Sequence, residues 1–400
     1  MDVKFLFANQ ENKTDSVKKS IIRLYIEGGP ATIAEMAGRV GLSIPTTTKV
    51  LAELADDGFV SDFGKQETEG GRRPNLYGLK PDSGLFVGVN VSLFHLDIAL
   101  LNLEGSTLVL QENIPYKLED SREALLELCT QIKQFISAQG SLADQVLGVG
   151  LNITGRVNAS SGYSYSYFYM DEQPLVDFLR EQTGYRCFID NDTRAMAYGE
   201  FKSSEARAAQ NLIFVNIDWG IGIGIIVNGL PYYGKSGFAG EFGHFSLYEN
   251  ELICRCGKKG CLETEASGFA LQRVLTERIK AGSGSVLQPK LAEGGALQLE
   301  DIIQATLDED VLAIEAVEEI GYKLGKALAG LINIFNPEQL VLGGLVALCG
   351  DYILLPVKTS INKFSINLIN KDTEIRLSKL GHKAGVVGVA LLARDRILAS

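Results

Sequence analysis

Along the first eighty residues, apolar positions recur with helical spacing in three short stretches. Val17, Ile21, Leu24 and Tyr25 fall on one face, and Gly28-Gly29-Pro30 ends that helix. Thr32 with Glu35 forms a capping-box pair that starts a second helix, stopped near Gly41. Ser43 caps a third, with Pro45 in its first turn, Val50, Leu51 and Leu54 facing inward, and Asp57-Gly58 closing it. The period then changes. Phe59-Val60 and Leu76-Tyr77 read as two strands around the glycine-rich, basic-tipped stretch "SDFGKQETEGGRRPN". Three short helices and a hairpin predict a winged helix-turn-helix over residues 1–80. Its third helix would offer Ser43, Thr46, Thr47, Thr48 and Lys49 to the major groove of double-stranded DNA, and Lys65, Arg72 and Arg73 on the wing would meet phosphates or the minor groove. This segment holds 11 Lys+Arg and 11 Asp+Glu, and its neutrality lends some weight to the alternative, a protein-contact module. The helix pattern, the capping and the basic wing together favour DNA.

Beyond residue 80 the pattern is α/β. Strand-like runs "GLFVGVNVS", "HLDIALLNL", "QVLGVGLNI", "NLIFVNI" and "EQLVLGG" alternate with helical stretches such as 121–138 and 310–333. Four hundred residues leave room for two or three domains of about 150 residues. The formal charge of −11 lies wholly after residue 80, which argues against nonspecific attraction to nucleic acid or anionic membrane there. The amino terminus lacks a signal-peptide pattern and no run of about 18 apolar residues occurs, so a cytoplasmic chain without membrane insertion is expected.

Residues 241–265 read "EFGHFSLYENELICRCGKKGCLETE". Cys254, Cys256 and Cys261, with His244 upstream, would fill a tetrahedral Zn²⁺ shell and leave no position for water, so the metal would be structural. The alternatives are reduced thiols or a strained Cys-x-Cys disulfide. His95 and His382 read as packed or exposed residues, and Cys129, Cys187 and Cys349 as core thiols.

"GEFGH" followed by "CRCGKKGCLE" resembles the ROK family, whose name covers repressors, open reading frames and sugar kinases on one fold. "LNITGRVN", "DNDTRAMAYGE", "FNPEQLVLGG" and "AGVVGVALLA" extend the resemblance over nearly the whole chain. It implies an actin-like (ribonuclease H-like) two-lobed sugar-kinase fold behind the winged helix-turn-helix. The first lobe would comprise residues 81–190 plus 385–400, and the second residues 191–384. It further implies that Asn191, Asp192, Glu241, His244 and Glu263 hold sugar hydroxyls, chemistry suited to carboxylates and an amide. His244 would also serve the zinc. In the kinases the aspartate matching Asp192 is the general base. No basic residue stands out in these motifs, which favours a neutral sugar or derivative.

Both phosphate loops depart from the kinase pattern. Asn90-Val91-Ser92-Leu93-Phe94 stands where the kinases carry Asp-x-Gly-x-Thr, and Asp218-Trp219-Gly220-Ile221-Gly222 where they carry Gly-Thr-Gly-x-Gly. Asp218 would repel phosphate and Trp219 would fill the space. Gly220 and Gly222 would then serve hairpin packing, and Asp192 would be a vestigial base that only holds sugar. The chain is accordingly expected to be a sugar-responsive transcriptional regulator, a repressor without enzymatic activity. It would act as a homodimer or homotetramer on a palindromic operator, with a regulatory protein partner as a further possibility. An active ATP-dependent sugar kinase with an accessory DNA-binding domain is the rival reading. The tyrosine-rich "SSGYSYSYFYM" reads equally as a strand with one aromatic face or as a recognition loop.

Overall fold

Helices α1 (Lys13–Gly28), α2 (Ile33–Val40) and α3 (Ile44–Asp56) begin and end where cap chemistry places them. This computed structural model describes residues 6, 13–65, 74–169, 173–203, 209–292 and 294–399. Thr32 accepts the Glu35 N–H while Glu35 accepts the Thr32 N–H, and Gly41 closes α2 at φ 71°. Ser43 caps α3 through the Thr46 N–H. The buried face of α1 differs from the expected one. It is built from Lys18, Lys19, Ile21, Ile22 and Tyr25, with Val17 and Leu24 only half-buried. The ammonium of Lys18 explains part of the rotation: it lies 2.8 Å from Asp57 and 3.2 Å from Glu53, so a charge pair closes α1 onto α3. Strands β1 (Ala31–Thr32), β2 (Val60–Lys65) and β3 (Asn75–Leu79) form a sheet in the order β1-β3-β2, with the hairpin paired from Val60–Leu79 to Lys65–Asn75.

The chain divides into two compact units, Met1–Asp190 with Val389–Ser400, and Asn191–Gly388. In the first, β4 (Leu85–Val91), β5 (His95–Asn102) and β6 (Thr107–Pro115) form an antiparallel meander. β7 (Val146–Ile153) runs parallel to β4, β8 (Val157–Asn158) pairs with β9 (Tyr163–Ser164), and β10 (Cys187–Asn191) completes the sheet order β10-β7-β4-β5-β6. Helices α4 (Arg122–Ser137) and α5 (Leu175–Thr183) bury Leu125, Leu128, Ile132, Phe178 and Leu179 on one face. The tyrosine-rich segment sends Tyr163, Tyr165 and Tyr169 to one side as a cluster, Tyr165 and Tyr169 stacked at 5.5 Å, while Ser164 and Phe168 are buried. Cys129, Cys187 and Cys349 are buried free thiols, pushed up by desolvation to about 11, 12 and 11 respectively.

The second unit opens with α6 (Asp192–Ser203) and repeats the topology. A meander of β11 (Leu212–Ile217), β12 (Ile221–Val227) and β13 (Leu230–Pro231) is followed by β14 (Gln339–Gly343) parallel to β11 and β15 (Glu374–Leu377) parallel to β14. The two faces of β12 have different jobs. Ile221, Ile223 and Ile225 enter a core completed by α7 (Glu263–Ala266), α8 (Gly268–Lys280), α10 (Leu299–Leu307) and α11 (Val311–Phe335), α9 being the short turn Gln288–Ala292. The other face presents glycines. A Cβ on Gly224 would strike Ala197 and the Thr193 carbonyl, so α6 lies directly on the strand backbone. Beyond α11 come α12 (Asp351–Phe364), α13 (Asn367–Asn370) and α14 (Ala384–Ala399). No helix among the described residues is long and apolar enough to cross a membrane.

Candidate functional site

Asn191 ends β10 and Asp192 begins α6, so strand-to-helix geometry fixes both side chains. The Asn191 side-chain Oδ1 accepts the Arg194 N–H at 3.1 Å, an N-cap bond, and its Nδ2 donates to Asp192 Oδ1 at 2.9 Å. The same Asp192 oxygen accepts the Thr193 N–H at 2.7 Å. Thr193 in turn rests over Gly222, where a Cβ would come within 2.6 Å of its hydroxyl. Two residues along the same strand face, Gly220 is covered by the Glu263 carboxylate. Thr193, next to Asp192, and Glu263 therefore lie over glycines two residues apart, Gly222 of β12 and Gly220 just before it.

The remaining two sugar-site candidates come from the turn Phe242–His244, which Glu241 precedes. Gly243 packs against the Ile221 carbonyl, a closeness only glycine permits, and Gly240, at φ 104°, accepts the Ile223 N–H through its carbonyl. His244 thereby faces two ways: Nδ1 lies 3.4 Å from Cys254 Sγ, and Nε2 lies 3.7 Å from Glu241 Oε2.

His244, Cys254, Cys256 and Cys261 bring their ligand atoms within 4.8 Å of one another. The Cys256–Cys261 separation is 3.6 Å, close to the ~3.8 Å edge of a tetrahedron with zinc–sulfur bonds of about 2.3 Å. The donor set thus fits a four-coordinate thiophilic metal. All six cysteines are free thiols, so the Cys-x-Cys disulfide is not formed. Backbone bonds shape the loop: Cys254 N–H to Lys258 O and Gly257 N–H to Cys254 O make a tight knuckle, and Leu262 N–H to Phe245 O closes its base. Cys261 leads directly into α7 and hence into Glu263, which is buried and accepts the Ile221 N–H at 3.3 Å.

Two arginines belong to this site that sequence reasoning missed. Arg194, 2% exposed, donates through both terminal nitrogens to the Gly237 carbonyl at 3.2 Å and stacks on Tyr233 at 4.6 Å, tying α6 to the loop before Glu241. Arg255, between the two metal-site cysteines, places Nε 3.8 Å from Glu263 Oε1. The only signal for either was an arginine inside an already notable motif.

On the winged helix, Ser43, Thr46, Thr48 and Lys49 are exposed at the start of α3, and Lys65 is exposed at the end of β2. Thr47 is corrected: it is fully buried, its hydroxyl bonded to the Ser43 carbonyl, and no groove can reach it. Helical spacing explains the error, since Thr47 precedes Val50 and Leu51 by three and four positions and shares their inward face. Ile44, 54% exposed, joins the outward edge instead. Arg72 and Arg73 lie outside the described residues.

The ROK family model matches residues 86–396, and a winged helix-turn-helix DNA-binding model matches residues 14–61. The chain belongs to the ROK family. It is 28% identical to a xylose repressor of Caldicellulosiruptor bescii over 392 residues, covering 95% of this chain and 96% of that one. It is 31% identical to a glucokinase of Halalkalibacterium halodurans over 315 residues, covering 78% of this chain and 95% of that one. The crystal structure of a ROK family transcriptional regulator, a homologue of the Escherichia coli MLC protein, superposes with a TM-score of 0.83 at 26% identity, covering 96% and 97% of the two chains.

The two segments that depart in sequence from the kinase pattern, 90–94 and 218–222, make local bonds of their own. Asp218 Oδ1 accepts the Trp219 N–H at 2.9 Å, so a carboxylate takes a backbone donor of that loop. Trp219 packs against the core and its carbonyl accepts the Phe269 N–H. In the other loop, Ser92 N–H bonds the His95 carbonyl, closing a tight hairpin turn, and the Asn90 amide bonds Asp97 at 3.1 Å.

Proposed function

We propose that this chain is a sugar-responsive transcriptional repressor whose ROK domain binds a sugar without phosphorylating it. The observation that carries the reading is the joining, in one chain, of a winged helix-turn-helix to a ROK domain, at a length that matches xylose repressors end to end while a glucokinase spans only 78% of it. Asn191, Asp192, Glu241, His244 and Glu263 hold the sugar hydroxyls. Zn²⁺ on His244, Cys254, Cys256 and Cys261 braces Glu241 and Glu263 and takes no part in chemistry. Residues 1–80 form the DNA-binding domain, 81–190 with 385–400 the first lobe, and 191–384 the second. Homodimers present two copies of α3 to a palindrome. For sugar to release DNA it must bind the DNA-free conformation more tightly, since equal affinity shifts nothing.

Loss of phosphoryl transfer is supported by Asp218, which sets a negative charge where kinases offer backbone donors to phosphate. Asp192 and the glucokinase similarity favour the rival enzyme reading. Incubation with Mg-ATP and an aldose panel separates them: we expect no turnover, and turnover abolished by Asp192→Asn would establish the kinase. In sugar titrations the same variant is expected to lose about ten- to hundredfold in affinity, as a charge-assisted hydrogen bond is removed.

Selection from a random duplex pool at about 100 mM salt tests the DNA-binding half. Enrichment of a palindrome is expected, and its absence with folded, metal-loaded protein would demote the winged helix to a protein-contact module. Lys49→Ala should weaken binding nearly uniformly across sequences and reduce the salt slope by about one, whereas Thr46→Ala should change base preference.

A further inference from the structure

Arg255 is fixed at its backbone by the metal loop, yet its side chain is 77% exposed. Its one ionic contact is loose, Nε to Glu263 Oε1 at 3.8 Å, and among the described residues the two terminal nitrogens have no hydrogen-bond partner. Gly220 makes room for it: a Cβ there would stand 3.3 Å from Nη2. A guanidinium fork thus lies beside a sugar-site carboxylate, over the loop that corresponds to a phosphate loop in ROK kinases. We infer that the effector carries an anionic group beside its hydroxyls, a phosphate monoester or a carboxylate, and that Arg255 receives it.

The inference rests on the sugar-binding reading above and supplies the cation that the motifs alone did not reveal. Asp192, Glu241 and Glu263 suit hydroxyl donors and would repel an anion. Two backbone donors of that loop are already taken, the Trp219 N–H by Asp218 and the Ile221 N–H by Glu263. A side-chain cation beside that loop suits negative charge, and arginine matches phosphate or carboxylate in bidentate geometry. Opposite ends of one ligand are thereby sorted, hydroxyls onto carboxylates and the anion onto Arg255.

The test is calorimetric titration of the full-length, metal-loaded protein with neutral aldoses, their phosphate monoesters and the matching uronic and aldonic acids. One anionic class should bind at least about tenfold more tightly than its neutral parent, and which class wins identifies the group. Arg255→Gln should lower that affinity about ten- to hundredfold and leave the parent sugar unchanged, with Arg255→Lys recovering part of the loss. Metal content and thermal unfolding report whether the variants fold; if Arg255→Gln does not, the wild-type ranking still decides. A neutral sugar binding as tightly as both anionic classes, or a preference that survives Arg255→Gln, would overturn the inference. Binding of no sugar of any class would sink the sugar-sensor reading as well.

Discussion

Replacing Cys261 by serine is expected to release the metal and lower sugar affinity by at least about 100-fold, while operator binding without sugar persists. Cys261 is fully buried and joins the candidate metal cluster to the proposed sugar-binding residue Glu263. Its carbonyl accepts the Thr264 hydroxyl at 2.8 Å, its neighbour Leu262 closes the loop onto Phe245, and Glu263 follows at the start of α7. On the proposed reading, loss of the metal would take from His244 the partner that orients its ring toward Glu241, and from three of the five proposed sugar-binding residues their common brace. The winged helix has its own core in Ile21, Ile22, Leu51 and Leu54, so its fold does not depend on that brace. One zinc per wild-type chain by elemental analysis, lost in Cys261→Ser together with the sugar response, is the expected pair of results. A metal-free variant that still binds sugar at wild-type affinity would remove the bracing role.

Features encoded within a few residues were legible in the chain. Caps at Thr32 and Ser43, the left-handed stop at Gly41 and the Cys-x-Cys spacing are local chemistry, and each has the expected local geometry. Gly220 and Gly222 were expected to serve hairpin packing, and Gly222 with Gly224 does let α6 lie on the strand, while Gly220 makes room for Glu263. What escaped depends on partners far away in sequence. Lys18 is buried because Asp57 stands 39 residues on, and Arg194 finds Gly237 at a separation of 43. Periodicity places a lysine or arginine on the polar face by default, and only the tertiary partner reverses that. Thr47 failed for the opposite reason, a polar residue grouped with its exposed neighbours although its own helical phase pointed inward.

A still longer separation, 176 residues between Glu200 and Arg376, carries the second large effect. Glu200, on the same helix as Asp192, is fully buried and receives Arg376 at 2.5 Å, the Ser378 hydroxyl at 2.8 Å and the N–H groups of Lys379 and Leu380. One carboxylate thus pins α6, and with it the Asn191–Asp192 turn, to the chain after β15. Burial works to raise its pKa, but the Arg376 guanidinium, the two backbone donors and the Ser378 hydroxyl outweigh that and hold the carboxyl below its ordinary 4.5. Glu200→Gln leaves the half-buried Arg376 guanidinium, which keeps Gln339 and the Leu377 carbonyl, without its countercharge and should cost about 3 kcal/mol near neutral pH. The sign of the pH dependence follows from the lowered value. The folded state binds this proton more weakly than the unfolded one, so the stabilisation is complete above the unfolded pKa and is lost as pH falls through the folded pKa. The gap between wild type and Glu200→Gln should therefore be widest at neutral pH and close on acidification below about 4. Hydrogen exchange of the amides at 379–381, followed across that range in both proteins, measures the gap locally and does not require two-state unfolding of the whole chain. A gap that stays constant with pH would mean that Glu200 contributes shape and not charge. The position of Asp192 would then have to be held from the strand side, by Asn191 and the glycine face of β12.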